Sequence, residues 1–432
     1  MKKVFQRLVR FLKSDFVLLL LVACCYLFFL NVNSQNKLVN IVKDASFKLG
    51  LENLNSNLIK KLAAARIGLV TNQTGKDQRG ERNVDVLLKV GVPIKKIFVP
   101  EHGFSGMLSP DAKISCHKDK KTGIEIVPLH SQGRALKISA QMVKDIDVLL
   151  FDMQDAGMRH YTYITTLYNA MESAAKCKKT FIVLDRPNML GCCMNGPLVK
   201  DGFYSGISIV SVPLRHGMTF GELALFFNRY NFNKKVKLSV VRMKQYRRNS
   251  SVHNQLITYL SSGIRNTNAC GCYSFLGVLG ELRPLNIGLG TERKFECLLL
   301  NDKIGFSNNN WVKLQRIMKS HGVDSVPCHQ KKKNNNYTGL QLRVENVNDL
   351  LSFNLLIKII SFLKKSGVNL TFSRMFDLAL GTDKVKLFFD GKVKKEQLEK
   401  SINNDLVKFY QKAKPCFLYK PIPVIVPFRA TV

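Results

Sequence analysis

Four short polar clusters carry most of the residues that could do chemistry. They are Thr71-Asn72-Gln73-Thr74-Gly75, Pro100-Glu101-His102-Gly103, Asp152-Met153-Gln154-Asp155-Ala156-Gly157 and Asp185-Arg186-Pro187-Asn188. Arg159, Tyr161 and Tyr163 follow closely behind the third. Any one cluster reads equally well as turn chemistry or a helix cap. Four in series, each directly after a short apolar run, point instead to one ligand rim. Carboxylates and amides suit the hydroxyls of a sugar, and tyrosine rings suit its apolar faces. Glycoside cleavage needs a carboxylic acid to protonate the leaving oxygen, usually with a second carboxylate nearby. Glu101 is the first choice of acid, because it leaves an apolar strand into a desolvating setting. Asp152, Asp155 and Glu281 are the candidates for the second group.

The apolar runs are the elements that must position these clusters. Residues 66–71, 96–100, 147–152 and 180–185 read as strands, and 84–90 and 161–177 have helical spacing. Continuous apolar strands separated by helices indicate a parallel sheet covered on both faces. The fold class is therefore α/β, with a Rossmann-like domain over 35–250. In such sheets ligands bind beyond the carboxyl ends of the strands, where all four clusters fall. A break follows at about 245–268, where Tyr246-Arg247-Arg248-Asn249-Ser250-Ser251 is polar and basic and Ser261-Ser262-Gly263 is loop-like. A smaller α/β domain is expected over 251–432, with a strand at 339–344 and amphipathic helices at 354–363 and 395–412. Lys331-Lys332-Lys333-Asn334-Asn335-Asn336 reads as a solvated loop.

Several function classes are disfavoured. The first strand–helix turn lacks the Gly-x-Gly-x-x-Gly fingerprint of a dinucleotide site. There is no phosphate-binding Walker loop and no Gly-x-Ser-x-Gly nucleophile elbow. His102, His117, His130 and His216 do not fall at metal-ligand spacing, and no metal is expected. Eleven cysteines include no Cys-x2-Cys pair and read as small buried residues without a disulfide framework.

The chain carries 66 Lys and Arg against 31 Asp and Glu, a net charge of +35. Such a surface favours polyanions. Lys and Asn are nevertheless abundant everywhere rather than in one patch. The N-terminus argues against nucleic acid. Five cations within residues 1–13 precede a charge-free apolar run from 16 to 30, the pattern of a secretory signal. The expected location is periplasmic or extracellular. Residues 1–34 are expected to act as a cleaved signal or as an N-terminal membrane anchor through 16–30.

At the polar clusters the chain resembles the exo-β-N-acetylmuramidases of the NamZ type. The matching segments are Gly68-Leu69-Val70-Thr71-Asn72-Gln73-Thr74-Gly75, Pro100-Glu101-His102-Gly103, Phe151-Asp152-Met153-Gln154-Asp155 and Arg159-His160-Tyr161-Thr162-Tyr163. They continue in Leu184-Asp185-Arg186-Pro187-Asn188, Asn195-Gly196-Pro197 and Pro213-Leu214-Arg215-His216-Gly217-Met218-Thr219. Weaker similarity runs on to about Tyr419. The second half departs from the family pattern at Glu281-Leu282-Arg283-Pro284 and Gly288-Leu289-Gly290-Thr291.

The resemblance implies a cleft between the two domains and release of N-acetylmuramic acid from the non-reducing end of peptidoglycan fragments. It places the family's glutamate on Glu101 and implies no cofactor. The lactyl carboxylate of the sugar needs a cation, and Arg159, Arg186 and Arg215 are available for bidentate pairing. Asn72, His102, Tyr161, Tyr163 and His216 complete the expected substrate-binding set. A non-catalytic protein that binds peptidoglycan or the membrane surface on the same scaffold is the alternative.

Overall fold

The computed structural model describes residues 47–109, 111–249, 259–332 and 334–430. The export-signal reading at 1–34 lies outside them, as does the 250–258 portion of the basic break. Among the described residues, no helix is long and apolar enough to cross a membrane.

The main sheet contains β1 (Ile67–Thr71), β2 (Ile94–Val99), β3 (His117–Lys118), β4 (Glu125–Pro128), β5 (Val148–Asp152), β6 (Thr180–Leu184) and β7 (Lys237–Val241). Its strand order is β7-β6-β5-β1-β2-β4-β3. Every neighbouring pair is parallel except β3 with β4, where a short antiparallel strand closes the edge. The order reverses direction beside β1, so β1, β2 and β5 end around the switch point where such sheets bind ligands.

Alternation along each strand feeds two cores. Leu69, Ile97, Val99, Leu150 and Ile182 pack on one face with Val84 and Leu87 of helix α1 (Asn83–Lys89). Val70, Phe98, Leu149, Phe151 and Phe181 pack on the other with Ile164 and Leu167 of α2 (Tyr163–Lys176) and Leu223 of α3 (Phe220–Tyr230). Apolar side chains leave both faces of every central strand, which is why these strands read as unbroken hydrophobic runs. Helix α3 starts at a capping box, with the Thr219 hydroxyl on the Glu222 amide and the Glu222 carboxylate on the Thr219 amide.

The second half builds an antiparallel sheet from β8 (Cys297–Asn301), β9 (Val323–Lys332) and β10 (Asn335–Val344), in the order β8-β10-β9. Helix α4 (Thr267–Leu279) packs against β10 and against α5 (Ser352–Lys365). It is buried along nearly its whole length and apolar on every side, as expected of a helix enclosed by other elements. Its core is continuous with that on the α2 face of the main sheet.

Two expectations need correction. The Lys-Asn run at 331–336 is the end of a hairpin rather than a loop, since ladder pairing continues to Lys332 opposite Asn335. Much of β9 is half-buried or exposed, so polar residues are tolerated and the hydrophobic signal vanishes. The basic stretch near 248 is likewise not simply a solvated linker. Arg248 is fully buried, ion-paired with Glu222, and donates to the carbonyls of Pro421 at 2.9 Å and Gly217 at 3.2 Å. It ties the C-terminal segment to the cap of α3.

Candidate active site

A cavity of about 460 Å³ opens beyond the end of β2, bounded by that strand end, the start of α2, α4, and the loops at 261–264 and 289–295. Glu101 enters it from a tight turn in which the Gly103 amide donates to the Pro100 carbonyl at 3.1 Å. Glu101 is half-buried. The Thr162 hydroxyl donates to its Oε2 at 2.5 Å, and among the described residues no hydrogen bond engages Oε1. One carboxyl oxygen is thus held while the other remains available.

His102 follows with a left-handed backbone, φ 70°, and its Nδ1 donates to the Leu108 carbonyl at 2.7 Å. That bond leaves Nε2 as the unprotonated nitrogen of the neutral ring. Phe295, on the second-half wall, is also left-handed at φ 57°. Non-glycine residues in this region carry backbone strain and concentrate at functional sites.

Aromatic groups make the floor and one wall. His160 lies over Tyr273 with ring centroids 4.7 Å apart, Tyr161 meets Tyr273 edge-on at 6.1 Å, and Phe295 meets it edge-on at 5.0 Å. Burial pushes the phenols of Tyr161 and Tyr273 upward, so both remain neutral donors. Burial, assisted by neighbouring Arg159, pushes His160 down to about 3. Neither ring nitrogen of this neutral imidazole has a protein partner among the described residues. Gly277 makes this floor possible: a Cβ there would lie 2.5 Å from His160 Nε2.

The loop at 261–264 is fastened through the Leu260 carbonyl. That oxygen accepts from Gln73 Nε2 at 2.7 Å, Tyr161 Oη at 3.1 Å and Tyr163 Oη at 3.4 Å. Lys294 projects from the facing loop, and its Nζ reaches the Ser262 carbonyl at 3.4 Å.

Of the expected site residues, Glu101, His102 and Tyr161 line this cavity. Tyr163 and Asn72 lie behind the lining. The Tyr163 ring is 4.6 Å from Tyr161, and Asn72 Oδ1 holds the following turn through the Thr74 amide and hydroxyl at 3.0 and 2.6 Å. The remaining expected residues lie outside this lining. Asp152 and Arg186 form a buried bidentate pair at 2.6 and 3.0 Å, and Asn83 Nδ2 adds a bond to the same carboxylate at 2.8 Å. The pair joins the ends of β5 and β6 and does not line the cavity.

Asp155 and His216 are equally buried and face each other, Oδ2 to Nε2, at 3.1 Å. The angle of approach is poor, and neither atom makes a well-formed hydrogen bond. The Met218 amide donates to His216 Nδ1, so the ring proton sits on Nε2, toward the carboxylate. Glu281 is half-buried just beyond α4 and outside the lining, with its carboxyl raised by desolvation.

Arg159 and Arg215 are buried braces. Arg159 donates to the carbonyls of Pro197 and Val212 at 2.7 Å and Ala379 at 2.9 Å. Arg215 donates to Leu350 at 2.6 Å, Val347 at 2.7 Å and Leu190. Each guanidinium satisfies backbone carbonyls from both halves of the chain, which uses most of its donors internally, although Arg215 Nε has no partner among the described residues.

His160, Thr162, Tyr273 and Lys294 are among the lining residues that pattern reading did not single out as site groups. His160 and Thr162 alternate with expected residues in the motif at 159–163, so that signal was present. Tyr273 sits in an apolar helix and Lys294 among many lysines, and neither stands out locally.

Together these features define a Rossmann-like α/β protein with a carboxyl-bearing aromatic cavity at the sheet's switch point, completed by a smaller antiparallel unit. Family models described as "Exo-beta-N-acetylmuramidase NamZ, N-terminal" and "C-terminal" match residues 67–265 and 272–419. The chain belongs to this NamZ family. It is 33% identical over 260 residues to the peptidoglycan beta-N-acetylmuramidase NamZ of Bacillus subtilis strain 168, a match covering 59% of this chain and 62% of that relative's length. Its fold is similar to the crystal structure of a DUF1343 family protein from Bacteroides fragilis. That protein is 30% identical, with a TM-score of 0.75, and the match covers 87% of this chain and 99% of the other. A second DUF1343 structure from the same organism, 24% identical with a TM-score of 0.67, shares the fold over the same fractions.

Proposed function

We propose that this chain is a glycosidase that releases N-acetylmuramic acid from the non-reducing end of peptidoglycan fragments, with Glu101 as the general acid. The observation that carries this reading is that Glu101 is the one carboxylate among the described residues lining the cavity. It stands over aromatic and neutral polar groups suited to a sugar ring. Family membership and the activity named for the Bacillus subtilis relative supply the substrate class. Glu101 would donate its proton to the glycosidic oxygen as the bond to the anomeric carbon breaks. The Thr162 hydroxyl fixes the orientation of the carboxyl group during that transfer. Asp152, held by Arg186, and Asp155, buried beside His216, serve the framework in this reading. Action on peptidoglycan would suit a protein outside the cytoplasm, a reading supported by the basic and apolar pattern of residues 1–34.

The test uses a chromogenic N-acetylmuraminide. Wild-type protein should cleave it, and Glu101→Gln should lower kcat by about 10²- to 10⁴-fold without changing the melting temperature. The amide keeps the shape of the side chain and lacks the acidic proton. Turnover of the variant within about threefold of wild type would remove Glu101 from the acid role.

A further inference from the structure

We propose that Lys294 is the specificity-determining cation of the cavity, pairing with the lactyl carboxylate that distinguishes N-acetylmuramic acid from N-acetylglucosamine. This inference rests on the sugar class proposed above and assigns the residue that reads it. Three arginines had the right chemistry by sequence, and all three are buried and engaged outside the cavity lining. Arg186 is paired with Asp152, while Arg159 and Arg215 are enclosed by backbone carbonyls. Among the described lining residues, Lys294 is the one lysine or arginine.

Lys294 is half-buried, and its ammonium forms no ion pair with any described carboxylate. Its one hydrogen bond, to the Ser262 carbonyl at 3.4 Å, is long and weak. A lysine spared an internal partner and set beside Phe295 and Leu289 is a binding group in waiting, since apolar surroundings strengthen its attraction for an anion. The field there is reinforced from behind. Gly290 also lines the cavity, and a Cβ on it would come within 2.7 Å of Lys332 Cε and 3.2 Å of Lys332 Nζ. Lys332 thus packs directly against the lining backbone and places a second positive charge beside the Gly290 part of the wall.

Lys294 and Glu101 come from the two halves of the chain and line the same cavity. A sugar whose glycosidic oxygen meets Glu101 can therefore present its lactyl group to the second-half wall. Glu101 is the one carboxylate among the described lining residues and forms no ion pair with Lys294, whereas N-acetylglucosamine would leave the ammonium without an anionic partner.

The inference is tested by equilibrium binding of N-acetylmuramic acid and N-acetylglucosamine to the full chain. Wild type should bind the muramic sugar about 10- to 100-fold more tightly, the range for a charge-assisted contact. Lys294→Met should erase that preference while leaving N-acetylglucosamine binding and the melting temperature unchanged. Lys294→Arg should retain most of it. A wild type without preference, a Met variant that keeps the preference, or a Met variant that loses both sugars equally would each overturn the assignment. Cleavage of the chromogenic muraminide by wild type is read separately. Its absence would refute the glycosidase reading without altering the binding comparison.

Discussion

Two layers of the same strand-end region use similar residues in opposite ways. In the lower layer charges are buried and engaged: Asp152 with Arg186, and Arg159 and Arg215 with backbone carbonyls. In the cavity above, Glu101 and Lys294 are half-exposed and no described ion pair occupies either. The motif at 159–163 contains both layers within five residues, with Arg159 turned into the interior and His160, Tyr161 and Thr162 lining the cavity. A polar cluster at a strand end is therefore a mixed population, and burial together with partner count separates framework from chemistry. A buried charge with most of its donors used internally has little left for a ligand.

The largest effect that sharpens this contrast lies in the lower layer. Asp152→Ala leaves the buried Arg186 guanidinium without its carboxylate, and breaking such a pair costs about 3–5 kcal/mol. Denaturant melts should show that loss, whereas Glu101→Gln should melt like wild type. Equal stabilities for the two variants would erase the distinction between the layers.

Arg159→Met is expected to cost a comparable amount of stability and to be silent in specificity. Buried carbonyls left without donors cost about 1–3 kcal/mol each, moderated by whatever water enters. The fraction that folds should keep the wild-type ratio of muraminide to glucosaminide cleavage. A lowered ratio, measured on protein confirmed as folded, would return Arg159 to the substrate site.

The next effect is a pH dependence set by His160. Burial holds the folded imidazole down to about 3, against 6.5 for the ordinary group. Between those values the unfolded chain takes up a proton that the folded chain refuses. Stability from this group is thus complete above about 6.5 and is lost as pH falls toward 3. From pH 6.5 to about 4.5 wild type should lose roughly 2 kcal/mol more than His160→Gln, at up to 1.36 kcal/mol per pH unit. Parallel stability curves for the two proteins would mean that His160 gains a proton in the folded state. The smallest effect is expected at Arg66, whose exposed pair with Asp147 spans 2.7 Å on the surface before β1. Arg66→Ala should be indistinguishable from wild type in both melting temperature and sugar preference, because water and salt screen such pairs.

Much of this arrangement was legible in the chain. The runs beginning at residues 67, 148 and 180 carry apolar side chains on both faces, which suits only a strand covered on both sides. Glu101 could be found because it directly follows such a run. The lower layer could not be read in this way. Nothing near Arg186 indicates that its side chain meets Asp152 on the neighbouring strand, since that contact depends on the register of β5 against β6. Tyr273 was concealed for a different reason: α4 is apolar on every side, so periodicity does not reveal which face meets His160.

Local order was thus within reach of the sequence by itself: the alternation of strands and helices, the parallel class of the main sheet, and the placement of four polar clusters at strand ends. These follow from side-chain periodicity and backbone preference over a few residues. Only the tertiary structure decided which polar groups were spent on one another and which were left facing the cavity. That choice depends on partners far apart in sequence, such as the carbonyls of Ala379 and Leu350 that enclose Arg159 and Arg215. A buried charge must be satisfied by whatever the fold brings beside it, and Lys294 stands in the cavity with only the Ser262 carbonyl, at 3.4 Å, brought to it.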